Sequence, residues 1–225
     1  MKISTWRSWL GAMAIGLAAV LPAQADPVRF EDLAPTLFSG GESVNSGGFN
    51  FASDGFGFSG VDTVDGFFFG APPATASGQF LYMLNDDGIV MTSNQGMGFH
   101  LTSFSAAFIA PAPGLGGVLP GHLFVDLYDL AGVLLGTEVF DLATGDVGGD
   151  FPFSSLSLAN TAGLSAAYFY SCVYQDDGLC SFGGLLPAQF ALDNLDATAI
   201  PEPGSVLLVL TAMGALWVRR RHIQH

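Results

Sequence analysis

The amino-acid sequence predicts a mainly β protein, an antiparallel β-sandwich of jelly-roll type that lies between two apolar terminal segments. Three observations predict it: short stretches of alternating apolar and polar residues, turns rich in Gly, Pro and Asp, and few helix signals. About ten such stretches recur at intervals of roughly eight to fifteen residues, which is typical of sandwiches and barrels. The chain therefore divides into a leader (1–25), one β domain (26–200) and a tail (201–225).

The strands follow from the alternation and from the residues that interrupt it. The sequence predicts strands at 28–33, 48–52, 55–59, 67–69, 80–84, 89–92, 98–108, 123–128, 133–142, 156–158, 165–170 and 189–196. Asp87-Gly88 suits a tight turn, so strands 80–84 and 89–92 are expected to form a hairpin. The turn at 129–132 predicts a second hairpin.

Two strands carry further expectations. In 98–108 the alternation changes phase near Thr102 and Ser103, which predicts a bend. The run Phe67-Phe68-Phe69 has no polar interruption, so it predicts a strand that is covered on both faces.

The first twenty-five residues have the pattern of a secretory signal peptide. A basic start precedes twelve apolar residues, 10–21, and Ala23 and Ala25 form an Ala-x-Ala cleavage pattern just before Asp26. Twelve apolar residues are too few for a helix that spans a bilayer. Residues 1–25 therefore predict export, with cleavage after Ala25.

The body between the two terminal segments is strongly acidic. It holds nineteen of the twenty Asp and Glu residues and a single cation among Lys and Arg, Arg29, which gives a net charge of −18. Nucleic acid is excluded as a partner because binding it requires Lys and Arg to displace counterions. The body has no P-loop lysine and no Gly-x-Ser-x-Gly motif, and its two histidines, His100 and His122, are isolated. We expect a protein that is not an enzyme; a hydrolase that uses clustered acids, tested at Asp193, is the alternative.

Cysteine and aromatic residues indicate what the domain contains. Cys172 and Cys180 are the only cysteines and enclose a turn, which predicts a disulfide in an exported chain. All three tryptophans lie outside the body. If the body binds sugar, tyrosine is therefore the residue that would supply the flat aromatic face. The Phe residues at strand spacing are expected to form the core. The candidate platform residues are Tyr82, Tyr128, Tyr168, Tyr170 and Tyr174.

The tail combines a proline joint, a short apolar run and a basic cluster. The prolines of the joint stop any helix or strand from running through it. Residues 205–218 are fourteen residues without a charge, which as a helix would reach about 21 Å, against a hydrocarbon core of about 30 Å. Three arginines follow and fit a cytoplasmic stop. This order resembles the PEP-CTERM sorting signal of Gram-negative bacterial surface proteins. The residues that carry the resemblance are Pro201, Glu202, Pro203, Gly204, Arg219, Arg220 and Arg221.

The resemblance implies a route and a set of partners. Proteins of this family are processed by an exosortase, pass transiently through the inner membrane, and reach the cell surface or medium, where they are associated with exopolysaccharide and biofilm. An adhesive or structural matrix protein is therefore expected; a secreted carbohydrate-binding module and a plain single-pass inner-membrane anchor are the alternatives. The ectodomains of this family resemble carbohydrate-binding-module sandwiches, which implies a structural calcium ion with Glu31, Asp32 and Asp193 as candidate ligands.

Overall fold

A computed structural model describes residues 27–96, 98–109, 120–145, 150–160, 163–175, 178–181, 187–200 and 212–214. The described residues contain thirteen strands: β1 (Thr36–Phe38), β2 (Ser43–Ser46), β3 (Phe49–Ser53), β4 (Phe58–Thr63), β5 (Gln79–Leu84), β6 (Ile89–Ser93), β7 (Phe99–Phe108), β8 (Gly121–Asp129), β9 (Leu134–Phe140), β10 (Ser154–Ser157), β11 (Leu164–Tyr174), β12 (Cys180–Ser181) and β13 (Phe190–Ala199).

The ends of the chain fall mostly outside this description. The predicted signal helix, its cleavage residues, the proline joint and the arginine cluster all lie outside the described residues. Of the tail, only residues 212–214 are described, and they are helical. Within the described ranges, no helix has the length and apolar character needed to cross a membrane.

The strands form two antiparallel layers. The first layer has the order β1-β4-β5-β13-β7-β10, and the second has the order β9-β8-β11-β6-β3-β2, with β12 beside β11. One register pair, Leu164 with Phe99, joins β11 to β7 and makes the hydrogen-bonded path continuous between the layers. The expected mainly antiparallel β-sandwich is therefore confirmed.

Phenylalanine side chains fill the space between the layers. Phe104 of β7 and Phe169 of β11 meet edge to face with ring centroids 5.3 Å apart, and Phe49 meets Phe99 at 5.5 Å. All four rings are buried. Burying one such ring stabilises the fold by about 1.5–3 kcal/mol, so these contacts between layers hold the sandwich together.

A second apolar cluster covers the outer face of the first layer. Phe67 is buried against Phe80 and Tyr82, with ring centroids 5.5 and 5.1 Å away. Phe68 is 78% exposed, and no strand includes residues 67–69. The predicted Phe67–Phe69 strand is therefore wrong: the run belongs to a loop that folds over β5, which explains why β5 is buried on both faces.

The predicted hairpin between residues 80–84 and 89–92 is also wrong. Both strands exist as β5 and β6, but β5 pairs with β4 and β13, whereas β6 pairs with β3 and β11. The chain therefore crosses from one layer to the other between Leu84 and Ile89. Asn85 and Asp86 supply the positive φ values, 58° and 64°, that the crossing needs.

Other boundaries differ in informative ways. The expected first strand at 28–33 is reduced to one bridge between Val28 and Leu195, because Phe30 has a φ of 60°. Residues 55–57 are loop, and the strand begins only at Phe58. The β8–β9 hairpin is confirmed, with Gly132 at a φ of 76° in its turn.

The expected irregularity in β7 is present. Leu101 and Phe104 are both buried although they are three positions apart, an odd number, so the inward face changes phase between them. The partner strand β13 shifts register between Asp193 and Asp196, and Asn194 has a φ of 50° there. The irregularity is therefore shared by the two paired strands.

The two ends of the sandwich are distinct. At one end, which we call the exit end, Phe99 pairs with Ala199 and the turn at 129–133 joins β8 to β9. The described domain finishes there at Ile200, whose N–H donates to the Gly98 carbonyl at 2.9 Å. The β5-to-β6 crossing lies at the opposite end.

Candidate functional site

A row of five aromatic rings lies on the outer face of the second layer. Side chains alternate along β8 and β11, so His122 and Phe124 face outward while Leu123 and Val125 enter the core. The same alternation on β11 turns its tyrosines outward around buried Phe169. The members of this aromatic row are Tyr174, His122, Phe124, Tyr170 and Tyr168.

Contacts between neighbouring rings make the row continuous. Tyr174 and Phe124 each meet the His122 ring edge to face, with centroids 5.5 and 6.2 Å away. Phe124 stacks on its cross-strand neighbour Tyr170 at 5.1 Å, and Tyr170 stacks on Tyr168 at 4.9 Å. All five side chains are half-buried, so each keeps part of its ring at the surface.

Carboxylates accept hydrogen bonds from the tyrosines of the row. The Tyr168 hydroxyl donates to Asp54 Oδ2, and the Tyr170 hydroxyl donates to Asp126 Oδ1 at 3.4 Å. Thr137 Oγ1 also donates to Asp126 Oδ1, at 2.5 Å. Burial, followed by the hydrogen bond to Asp54, raises the pKa of Tyr168, and burial with the Asp126 charge raises the pKa of Tyr170. Both phenols therefore stay protonated at neutral pH and remain donors.

A buried aspartate supports one end of the row. Asp87 is 1% exposed and accepts from the hydroxyls of Ser53 and Ser59 and from the N–H groups of Gly55 and Gly57. Its carboxyl therefore fixes the loop 54–57 against the crossing between the layers.

Asp54 and Asp87 form a hydrogen-bonded pair of carboxyl groups. Burial, and then the hydrogen bond to Asp54, raise the pKa of Asp87. Burial alone would raise the pKa of Asp54 as well, but hydrogen bonds from Asp87 and Tyr168 hold it below its ordinary value. The two pKa values shift in opposite directions, so Asp54 is the more acidic member of the pair, and it is Asp54 that accepts the Tyr168 hydroxyl. The Asp54 and Asp87 carboxyl groups contact each other directly, whereas the two opposed carboxyl groups of a glycosidase stand about 5–9.5 Å apart.

The other end of the row is held by a histidine and a disulfide. His122 Nδ1 lies 2.8 Å from Asp141 Oδ1, and His122 Nε2 lies 2.7 Å from the Tyr174 hydroxyl. The predicted disulfide between Cys172 and Cys180 is present, with Cα atoms 5.4 Å apart, and Tyr174 pairs with Cys180. Such a bond is typical of an exported protein. His122 is thus oriented from both sides, and it orients Tyr174.

The candidate calcium ligands are only partly brought together. Asp32 accepts from Ser46 Oγ at 2.5 Å, and Glu31 accepts from the Gln79 N–H at 3.0 Å. Asp193 accepts from the Asn194 N–H at 2.7 Å, and its pKa is raised to about 6 by burial and, secondarily, by the Glu31 charge. In the part of the chain that the structure describes, no three acidic, His or Cys groups converge on a metal-sized space. The calcium site stays a prediction, and the one interaction recorded between its candidate ligands is the effect of the Glu31 charge on the pKa of Asp193.

Sequence reasoning identified part of the aromatic row. Tyr168, Tyr170 and Tyr174 belong to it, whereas Tyr82 is buried in the cluster on the first layer, where burial raises its pKa to about 12. Phe124 was missed as a surface residue because phenylalanine at strand spacing was assigned to the core. Phe124 lies between His122 and Asp126 in the outward-facing half of the β8 alternation, and this pattern was the available signal.

Comparison with known proteins gives a fold and no family. No family model matches the sequence, and no curated protein matches it either. Among solved structures, a DUF4465 family protein from Bacteroides caccae is similar with a TM-score of 0.54 at 15% identity, over 78% of this chain and 98% of that chain. A mutant of a family 29 carbohydrate-binding module, complexed with mannohexaose, aligns with a TM-score of 0.33 at 10% identity, over 74% of this chain and 92% of that one. At 15% identity the first match shows a similar β fold alone, and the second alignment is too loose to carry any argument.

Proposed function

We propose that the body is a glycan-binding domain of an exported surface protein, and that it binds sugar chains through the aromatic row. The observation that carries this proposal is the continuous line of five half-buried rings beside Asp126 and Asp54. Pyranose rings have apolar C–H faces that pack on aromatic rings and hydroxyls that donate to carboxylates, so both halves of such a ligand have partners here.

The row is organised before any ligand arrives. Phe124, Tyr170 and Tyr168 stack on one another, and two of these rings are further held by their hydroxyls. Side chains that are already ordered lose little rotamer freedom when they bind, which favours affinity for a weakly interacting ligand such as a sugar. The carboxylates also disfavour anionic polysaccharides, so neutral or amino sugars are the expected ligands.

Titration calorimetry against the best ligand from a glycan array tests this proposal. Phe124→Ala and Tyr170→Ala should each weaken binding by about fivefold or more, because loss of a central aromatic anchor costs over about 1 kcal/mol. Phe56→Ala is the matched control, since Phe56 is 84% exposed and lies outside the row. Equal affinity of all three variants and the unsubstituted protein would show that the row is not the binding face. Absence of any glycan ligand on the array would remove the proposed function.

The delivery part of the proposal rests on the sequence of the two terminal segments. A signal peptide exports the chain, and the apolar run after Pro201-Glu202-Pro203 lodges in the inner membrane until an exosortase-type enzyme cuts near the joint. The disulfide supports export, since such bonds persist outside the cytoplasm. Intact-mass measurement of the surface protein should give a value that lacks Arg221. A mass that includes the whole C-terminus would favour the plain single-pass anchor instead.

We propose further that binding proceeds without catalysis. The hydrogen-bonded Asp54–Asp87 pair and the His122–Asp141 pair both hold parts of the row in place, and neither faces an opposed second acid among the contacts described. Incubation of the bound glycan with the protein should therefore leave its chain length unchanged by mass spectrometry. Shortened products that disappear with Asp193→Ala, in a variant that still folds, would support the hydrolase alternative.

A further inference from the structure

The turn between β8 and β9 exposes a group of aliphatic side chains at the exit end. Leu130, Val133, Leu134 and Leu135 are 58%, 60%, 49% and 42% exposed, and we call these four residues the apolar tip. A register shift between Leu127 and Tyr128 places an extra residue in β9, which turns neighbouring leucines outward. Four adjacent exposed aliphatic residues are unusual on a body with nineteen carboxylates and mark a contact site.

The carboxylate in this turn is hydrogen-bonded to the backbone of the turn itself. Asp129 is the charged residue of the turn, and its Oδ1 accepts the N–H groups of Ala131 at 2.8 Å and of Val133 at 2.9 Å. The carboxylate is thus directed to the backbone of its own turn. The surface that the tip presents is therefore aliphatic, although the domain around it is anionic.

The apolar tip lies beside the point where the described domain finishes. A Cβ placed on Gly163 would be 2.9 Å from Ile200 Cδ1 and 3.8 Å from Leu130 Cδ1, so these two side chains border the same small space. Only residues 201–205 separate Ile200 from the apolar run 206–218. At about 3.5 Å per residue, the start of that run lies no further than about 21 Å from Ile200.

We infer that the apolar tip is a membrane-contact site, which inserts its aliphatic side chains into the bilayer interface while the tail is lodged in the same bilayer. The inference rests on the proposed insertion of the tail, which brings the exit end to the lipid. A second copy of the chain is a poorer occupant, because it would bring another body with a net charge of −18 close to the first. Lipid offers apolar contact without added anionic charge when its headgroups are zwitterionic.

The absence of tryptophan from the body provides a clean test. The chain from Asp26 to His225 contains Trp217 alone, so Val133→Trp with Trp217→Phe puts the single indole on the tip. Phe56→Trp with Trp217→Phe puts it at an exposed site near the opposite end. In phosphatidylcholine vesicles, the indole at position 133 should shift its emission to shorter wavelength and be quenched by brominated phosphatidylcholine, whereas the indole at position 56 should show neither effect.

Two further measurements distinguish failure of the membrane contact from failure of the proposed tail insertion on which it rests. Trp217 of the unsubstituted chain reports tail insertion in the same vesicles, so quenched Trp217 with an unquenched indole at position 133 overturns the membrane contact alone. Unquenched Trp217 overturns the tail proposal and the inference with it. Leu134→Trp serves as a second reporter, and Leu130→Asp in the Val133→Trp background should abolish quenching while leaving far-ultraviolet circular dichroism unchanged. Persistent quenching in that variant would also contradict insertion of the tip.

Discussion

Replacement of Asp193 by asparagine should stabilise the protein at neutral pH. Asp193 is 6% exposed, and burial, with a smaller contribution from the Glu31 charge, raises its pKa from 3.8 to about 6, while Arg29 opposes the rise only in part. A carboxyl with a raised pKa in the folded state contributes stability that is fully present below about pH 4 and is lost as the pH rises through about 6. Roughly two pKa units correspond to about 3 kcal/mol.

The variant avoids this loss because an amide carries no charge to bury. We expect the free energy of unfolding at pH 7 to rise by about 2 kcal/mol rather than about 3. The Asn194 amide donates to Asp193 Oδ2 at 3.0 Å, and it must reorient to accept a hydrogen bond from the new amide at position 193. Urea unfolding in EDTA at pH 4, 5, 6 and 7 should show equal stability at pH 4 and a difference that grows to its full value at pH 7. Asp196→Asn on the same strand is the control, since Asp196 is exposed and should change stability by less than about 0.5 kcal/mol.

Two results would refute this reasoning. Asp193→Asn less stable than the unsubstituted protein at pH 7 in EDTA would mean that the ionised carboxylate is held favourably. A difference that does not vary with pH would mean that Asp193 does not titrate in this range. The same variant also tests calcium: added Ca²⁺ should raise the melting temperature of the unsubstituted protein only, and no rise in either protein would remove the calcium prediction.

Three other changes test how the site and core are held. Asp87→Ala should lower the free energy of unfolding by about 3–4 kcal/mol in chemical denaturation, because it leaves buried N–H and hydroxyl donors without an acceptor. Asp65 is exposed, so Asp65→Ala should lower it by less than about 0.5 kcal/mol. Replacing Cys172 and Cys180 together by alanine should cost about 2–3 kcal/mol for a closed loop with a sequence separation of 8, and an unchanged denaturation midpoint would show that the bond contributes nothing. Phe104→Ala should cost about 3–5 kcal/mol in the same assay, since the ring bridges both layers, and a cost below 1 would contradict that placement.

The strands were predictable because their signal is local. Alternation over a few residues places one face of β3 or β8 in the core whatever its partner is, and the structure has both strands close to their expected positions. The disulfide was predictable for the same reason, since a short turn brings Cys172 and Cys180 together.

Pairing was not predictable from the same information. Asp87-Gly88 indicates that the chain reverses, but it does not indicate which strands lie beside β5 and β6, and the reversal joins two layers instead of two paired strands. The role of Asp87 was hidden by this interpretation, because a turn residue is expected at the surface and Asp87 is buried. The run Phe67–Phe69 failed similarly, since apolar continuity predicts burial without specifying a strand.

The aromatic row shows how far the candidate site could be predicted from the sequence. Period two places Tyr168 and Tyr170 on one face of β11, yet the stacking partner of Tyr170 depends on the register between β11 and β8. Register is set by contacts between residues 35 to 52 positions apart, which no local pattern contains. Tyrosines were therefore identifiable as candidates, whereas their assembly with Phe124 and His122 required the structure.

The placement of the two proposed surfaces determines when each can act. His122 lies seven residues before Asp129 on β8, which at about 3.3 Å per residue places the far end of the aromatic row roughly 23 Å from the turn that bears the apolar tip. The row can therefore remain in water while the tip contacts lipid. A few aliphatic side chains bind a bilayer only weakly and reversibly, so the tip holds the domain only while the tail tethers it. Cleavage at the joint would consequently release the domain with its glycan-binding face already ordered, and a cleaved domain should leave vesicles that the uncut chain occupies.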